Sequence, residues 1–301
     1  MPQQTPATPL IAGVVCYLFW GFAPLVFQSI GRYGVSSWEI LAHRSLWGVP
    51  VALLFVVMAR QGDQVLRVLR NPPVLAGLAF SALLIGANWA LYVWAVNAGN
   101  VLEASLGYYL TPLLNMLAGV VIFRERFDKI GVTAVLLAVG GIVLQGLALG
   151  HLPWISLILA ASFGAYGVVR KLITADAQTG LLIECLYLAV PGAIYLAWMA
   201  QHGGGHFGTN LPVSAWLIAC GPITAVPLVL FSWAARRLPL STLGFLQFIG
   251  PTIGFAIGIA EGEAFTPLRA LSFALIWGGA AVFIYGAWRR TRVPPQAAVQ
   301  L

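Results

Sequence analysis

The chain has 301 residues, of which 60% are hydrophobic, 12% aromatic and only 8% charged, with a formal net charge of +7. A soluble domain carries about a quarter charged residues. Apolar runs of about 20 residues, long enough to cross a hydrocarbon core of about 30 Å, recur from end to end, which excludes a separate soluble domain and predicts a polytopic membrane protein.

Ten spans are predicted, beginning near residues 9, 36, 72, 101, 128, 152, 178, 213, 240 and 266. The first run, Leu10 to Ser29, is too long for a signal-peptide core and no Lys or Arg precedes it, so it is expected to stay as a transmembrane helix. On the second span, Glu39, His43, Leu46 and Pro50 share one helical stripe, and Arg44 points about 100° away from His43. At 1.5 Å per residue Arg44 lies about 12 Å into the bilayer, too deep for snorkelling. A charge at a helix centre costs about 2.5 to 3.5 kcal/mol, so Arg44 is expected to face a partner or a wet cavity, an interhelical tie being the plain alternative.

Asn71-Pro72 and Thr266-Pro267 each set a capping side chain before a proline at the first helical position. The third span carries Asn88, Trp89, Tyr92, Trp94 and Asn97; the fourth carries Glu103, Tyr108, Tyr109, Thr111 and Asn115. Polar groups at these depths are expected to look into the protein, either toward substrate or toward neighbouring helices. Pro112 and Pro251 interrupt the fourth and ninth spans and are candidate hinges. Arg170-Lys171 reads as a cytoplasmic anchor, Tyr166 lies one turn further in, and Glu184 is deep enough on the seventh span to need a partner. The run Gly203 to Gly208 matches G-x-G-x-x-G by letter but has no strand before it, and is expected to be a flexible outer linker. Gly250, Gly254 and Gly258 form a small-residue ridge near Gln247 and suggest close helix packing. Glu125 and Glu263 stand just before helix starts and are expected to cap them. Cys16, Cys185 and Cys220 lie in different apolar runs and read as small core residues; no metal site or nucleotide motif is found.

Thirteen of the sixteen Lys and Arg residues fall on one side of this layout if the N-terminus is cytoplasmic, against Arg32 and Arg269 outside and Arg44 within a span. That bias predicts both termini inside, and it accounts for the basic charge without nucleic acid. An offset of 139 carries Trp94-Ala95 onto Trp233-Ala234 and Pro112 onto Pro251; one residue less carries Glu125 onto Glu263 and Gly140-Gly141 onto Gly278-Gly279. Two halves, 1–150 and 151–301, of five spans each follow, and an odd number per half inverts the second copy. Such inverted repeats mark secondary transporters.

The stretches "GFAPLVFQ" (21–28), "EILAHRSLW" (39–47), "GANWALYVWAVNAGNVLEASLGYYLTPLLN" (86–115), "VVRK" (168–171), "QTGLLIE" (178–184) and "LSTLGFLQFIGPT" (240–252) resemble the drug/metabolite transporter superfamily, specifically its EamA-type, RarD-like members. Arg124 departs from the repeat, which usually has glycine there. The resemblance implies an all-α, ten-helix permease of the bacterial inner membrane, usually an exporter of metabolites or drugs, with spans one, three, four, six, eight and nine around a central cavity. Trp20, Asn88, Trp89, Tyr92, Asn97, Tyr108, Asn115, Tyr166 and Gln247 are then expected to line it. Glu39, His43, Arg44 and Glu103 are candidates for proton coupling or an ion pair. No cofactor is expected; the partners are a small-molecule substrate, the lipid bilayer and, as candidate coupling ion, the proton. A uniporter or exchanger without proton coupling is the alternative within transport, and a membrane enzyme or sensor the alternative outside it.

Overall fold

The computed structural model describes residues 7–97, 101–149, 152–260 and 266–292. All regular structure among them is helical: α1 (Ala7–Gly31), α2 (Ser37–Met58), α3 (Gly62–Leu69), α4 (Pro72–Asn97), α5 (Val101–Val121), α6 (Lys129–Leu149), α7 (Trp154–Leu172), α8 (Ala177–Gln201), α9 (Leu211–Ala235), α10 (Leu240–Gln247), α11 (Ile249–Ala260) and α12 (Pro267–Arg292). Six of these are long and apolar enough to cross a membrane, and four shorter apolar stretches lie at Leu106–Val121, Lys129–Leu144, Leu240–Ile253 and Ala270–Gly286.

Two departures from the expected layout have local causes. Helix α3 is an extra short element after a turn in which Arg60 takes φ 53°, and it buries Val68 against Leu78, Ala175 and Ile183. The ninth span is broken into α10 and α11. Pro251 has no N–H for the carbonyl of Gln247, and α10 ends at Gln247. Pro112 leaves α5 continuous, with Thr111 Oγ1 donating to the Gly107 carbonyl at 2.9 Å.

Helix starts follow their capping residues. Ser36 Oγ accepts the Glu39 N–H at 3.2 Å, Asn71 Oδ1 accepts that of Val74 at 3.4 Å, and Asp128 Oδ1 accepts that of Gly131 at 2.8 Å. Glu125 caps a different helix from the one it precedes. Its Oε1 accepts the Leu240 N–H at 2.8 Å, and its Oε2 accepts the Ser241 N–H at 3.1 Å and the Ser241 hydroxyl at 2.6 Å. It therefore ties the first half of the chain to the start of α10. Glu263 lies outside the described residues.

Close helix approaches position the centre. A Cβ at Gly192 would stand 3.1 Å from the Ala42 carbonyl, one at Gly48 would stand 3.1 Å from Cys185 Sγ, and one at Gly221 would collide with the Trp47 carbonyl. These contacts hold α2 against both α8 and α9. The expected ridge on the ninth span is looser: the nearest atom to a Cβ at Gly250 is 3.8 Å away, and the surroundings of Gly254 and Gly258 lie outside the described side chains. The three cysteines are free and buried, as core residues are.

Candidate transport site

Because α2 is wedged between α8 and α9, its polar residues reach three different parts of the molecule. Glu39 is buried, and its carboxylate turns outward to the α8–α9 connection instead of along its own helix to His43. Glu39 Oε1 accepts the His206 backbone N–H at 2.6 Å, and Oε2 lies 2.9 Å from His206 Nδ1. His43 is buried too; its Nδ1 accepts the Trp47 indole N–H at 3.2 Å, and its ring lies 5.1 Å from that of Phe207. The glycine-rich run is thus docked on α2 through His206 and Phe207. Gly203, Gly205 and Gly208 take φ of 69°, 105° and 84°, which only glycine adopts without strain.

Arg44 points the other way, into the protein. Its Nε donates to Thr224 Oγ1 of α9 at 3.0 Å, and its Cζ lies 4.8 Å from the Phe27 ring centre on α1 and 4.4 Å from that of Trp89 on α4. Tyr92, Tyr108 and Cys220 are within electrostatic reach of the guanidinium. Tyr92 and Tyr108 are half-buried and meet edge-to-face at 5.4 Å across α4 and α5. A cavity of about 10 Å³, room for one water, is lined by Arg44, Ser45, Trp89, Glu184, Cys185 and Thr224 among others.

Further in, Trp20 of α1 meets Phe163 of α7 at 5.4 Å and Phe231 of α9 at 5.7 Å, and Tyr166 stacks on Phe231 at 5.8 Å. Below this aromatic cluster lies a charged network that sequence reading assigned to separate places. Arg170 is fully buried, 0% exposed, and its Nη1 stands 3.6 Å from Glu184 Oε1. Glu184 also accepts from Ser81 Oγ of α4 and, at 3.3 Å, from the Tyr166 hydroxyl. Arg170 Nε donates to Ser232 Oγ at 3.2 Å. Arg170 is thus an interior ion-pair member, and only Lys171 behaves as a helix-end cation, donating to the Ala235 and Leu238 carbonyls at 3.2 and 2.6 Å. The missed signal was in "QTGLLIE": a Cβ at Gly180 would strike the Arg170 guanidinium, so the glycine makes its room.

The amides fall in helix contacts. Asn88 Nδ2 donates to the Leu159 carbonyl at 2.8 Å and to Ser162 Oγ at 2.9 Å, and Asn115 Nδ2 donates to Gln247 Oε1 at 2.9 Å. Both keep a buried side-chain oxygen with no acceptor role filled among the described residues. Pro112 and Pro251 sit where α5 meets α10 and α11: a Cβ at Gly244 would be 2.8 Å from the Pro112 carbonyl, and the Tyr109 hydroxyl donates to the Pro251 carbonyl at 3.2 Å. The Asn97 and Glu103 side chains lie outside the described ones. A larger apolar groove of about 370 Å³ runs between α2, α4 and α8, bounded by Trp38, Leu83, Leu188, Pro191 and Tyr195.

Residues 7–147 match the EamA-like transporter family. Protein RarD of Salmonella typhi is 44% identical over 95% of this chain and 97% of its own length. An uncharacterized transporter of Vibrio cholerae serotype O1 is 40% identical over 93% of each chain. A solved crystal structure, 22% identical, shares the fold with a TM-score of 0.73 over 93% of this chain and 98% of its own. With relatives this similar along nearly its whole length, the chain belongs to the EamA-like transporters as a RarD-like member of the drug/metabolite transporter superfamily, a multi-pass protein of the bacterial inner membrane.

Proposed function

We propose that the chain is a secondary active transporter that exports a small metabolite or drug by alternating access, with ten spans in two inverted halves, 1–150 and 151–301, and both termini cytoplasmic. The observation that carries this reading is a reciprocal contact between α6 and α12. A Cβ at Gly141 would stand 2.6 Å from the Ser272 carbonyl, and one at Gly279 would stand 2.6 Å from the Ala134 carbonyl. The sequence offset of 138 carries Ala134 onto Ser272 and Gly141 onto Gly279, so each half makes the other's contact. Two bodies that touch through equivalent residues about a twofold suit rocking around a shared site. Six long helices, with four shorter apolar stretches beside them, support a count of ten. The cytoplasmic excess of Lys and Arg supports the orientation. Export is the direction that the resemblance implies, and transport in place of catalysis agrees with relatives named as transporters.

In this reading the substrate moves between the aromatic cluster of Trp20 and Tyr166 and the Trp89, Tyr92 and Tyr108 surface, with Asn88, Asn97, Asn115 and Gln247 as its polar border and Pro112 and Pro251 as hinges. Glu39 and His43 are the proton-coupling groups on the outer side, with Glu103 as a further carboxylate. His206 belongs to the same assembly, since its Nδ1 stands 2.9 Å from the Glu39 carboxylate. Histidine is the side chain whose charge ordinarily changes between about pH 5 and 8.

The test is substrate counterflow in proteoliposomes against a metabolite panel, followed by efflux at several external pH values. Wild type is expected to respond to pH, and Glu39→Gln, His43→Gln and His206→Gln to flatten that response while exchange survives. An unaltered pH profile in all three would assign the chain to uniport or exchange; no counterflow with any metabolite would remove the transport reading.

A further inference from the structure

The charges set into the described spans, Glu39, Arg44, Arg170 and Glu184, are equal in number but are not all paired with one another. Arg170 faces Glu184 at 3.6 Å, and Glu39 faces His206 at 2.9 Å. Arg44 enters none of the ion pairs among the described residues. Its single hydrogen bond there uses Nε, so the Nη1 and Nη2 donors have no acceptor among those residues. The rings of Phe27 and Trp89 take up part of the delocalised charge but no N–H. Glu184 borders the same small cavity, yet its two oxygens already serve Arg170, Ser81 and Tyr166.

We propose that Arg44 is the anion-recognition residue of this transporter, and that the substrate is a small organic anion whose carboxylate meets the Arg44 fork while a flat apolar body lies on the surrounding rings. The inference rests on the transport reading and names the substrate class for that same site. A guanidinium matches a carboxylate through two parallel N–H donors, a geometry lysine cannot reproduce. The hydroxyls of Tyr92 and Tyr108, already within electrostatic reach of the guanidinium, are further donors suited to an anion. Thr224 fixes the Nε side of the plane, which leaves the terminal nitrogens for the ligand. The two halves differ in this respect: where α7 and α8 supply Arg170 with Glu184, α1 and α2 supply Phe27 with Arg44, and the carboxylate of α2, Glu39, turns to His206 instead. A bound anion completes the outer set.

The experiment uses three probes with one ring system, indole-3-acetate, indole-3-acetamide and tryptamine, which are anionic, neutral and cationic. Binding to the purified full chain is read by thermal stabilisation, and movement by efflux from loaded proteoliposomes against protein-free controls. The acetate is expected to bind at least tenfold more tightly than the amide or the amine. Arg44→Gln should reduce it to the level of the amide, and Arg44→Lys, which keeps the charge, should weaken it several-fold. A gain of acetate affinity in Glu103→Gln would identify Glu103 as the partner of Arg44 and overturn the proposal. Equal binding of all three probes, or binding of none, also overturns it. Acetate that binds through Arg44 but is not moved keeps the anion site and removes the transport reading instead.

Discussion

Arg170 and Glu184 are each too short of water to stand alone, with 0% and 3% of their side chains exposed. Removing one partner of a buried pair leaves an uncompensated charge and costs about 3 to 5 kcal/mol, whereas replacing both by apolar groups of similar size is often neutral. Arg170→Met is therefore expected to lower the thermal midpoint in detergent strongly, and Arg170→Met with Glu184→Met to recover most of the loss. A double variant as unstable as the single one would mean that the pair itself, not the stranded carboxylate, is what the fold needs. At this scale the sequence was legible in part. The depth of Glu184 demanded a partner, but the partner sits on the preceding helix beside Lys171, where two adjacent cations look like one anchor. Spacing along a chain cannot distinguish a side chain that turns inward from one that turns to the headgroups. Arg124 is a case where pattern and geometry agree: it takes φ 54°, the left-handed region that explains why the repeat usually carries glycine there.

Glycine pairs make an equally sharp contrast between elements. In the doublets Gly140-Gly141 and Gly278-Gly279 only the second member closely approaches the facing backbone across the α6–α12 contact, a Cβ at Gly140 meeting no more than the Leu275 side chain at 3.8 Å. Nothing stands within 4 Å of a Cβ at Gly278, while one at Gly279 would meet the Ala134 carbonyl at 2.6 Å. Backbone cannot move aside as a flexible side chain does, so Gly279→Ala must part the two helices. Overpacking of this kind costs about 1 to 3 kcal/mol. Gly278→Ala should leave the unfolding midpoint unchanged and Gly279→Ala should lower it, with Gly140→Ala and Gly141→Ala repeating the contrast; equal effects within a doublet would dissolve the close contact. Helix existence was readable because long apolar runs and capping residues are local. Helix adjacency was not, since it depends on which of two neighbouring glycines faces the partner. The docking of the α8–α9 connection was missed for the same reason: three glycines argue for freedom until His206 and Phe207 find Glu39 and His43 from 167 and about 160 residues away.

For the molecule as a whole, Glu125 offers the cleanest test of inverted halves. Its carboxylate holds the first N–H groups of α10, the positive end of a helix dipole, and thereby ties the connection before α6 to the start of α10. The offset of 138 puts Glu263 in the sequence place of Glu125, and the offset of 139 puts Val101, the first residue of α5, in that of Leu240. A transporter of inverted halves then carries two such locks on opposite faces, and each must open in one of its two states. Buried reporters exist at positions matched by the offset: Leu106 on α5 and Phe245 on α10, 3% and 6% exposed and separated by the same 139 residues. In a cysteine-free background, Glu125→Ala is expected to raise thiol labelling of Phe245→Cys from the cytoplasmic side and to leave Leu106→Cys protected. Glu263→Ala is expected to do the converse from the outside. If either change exposes both reporters, the carboxylates are general structural caps; if the two act on opposite faces, each half contains the other's gate, and the substrate path runs between them past Arg44.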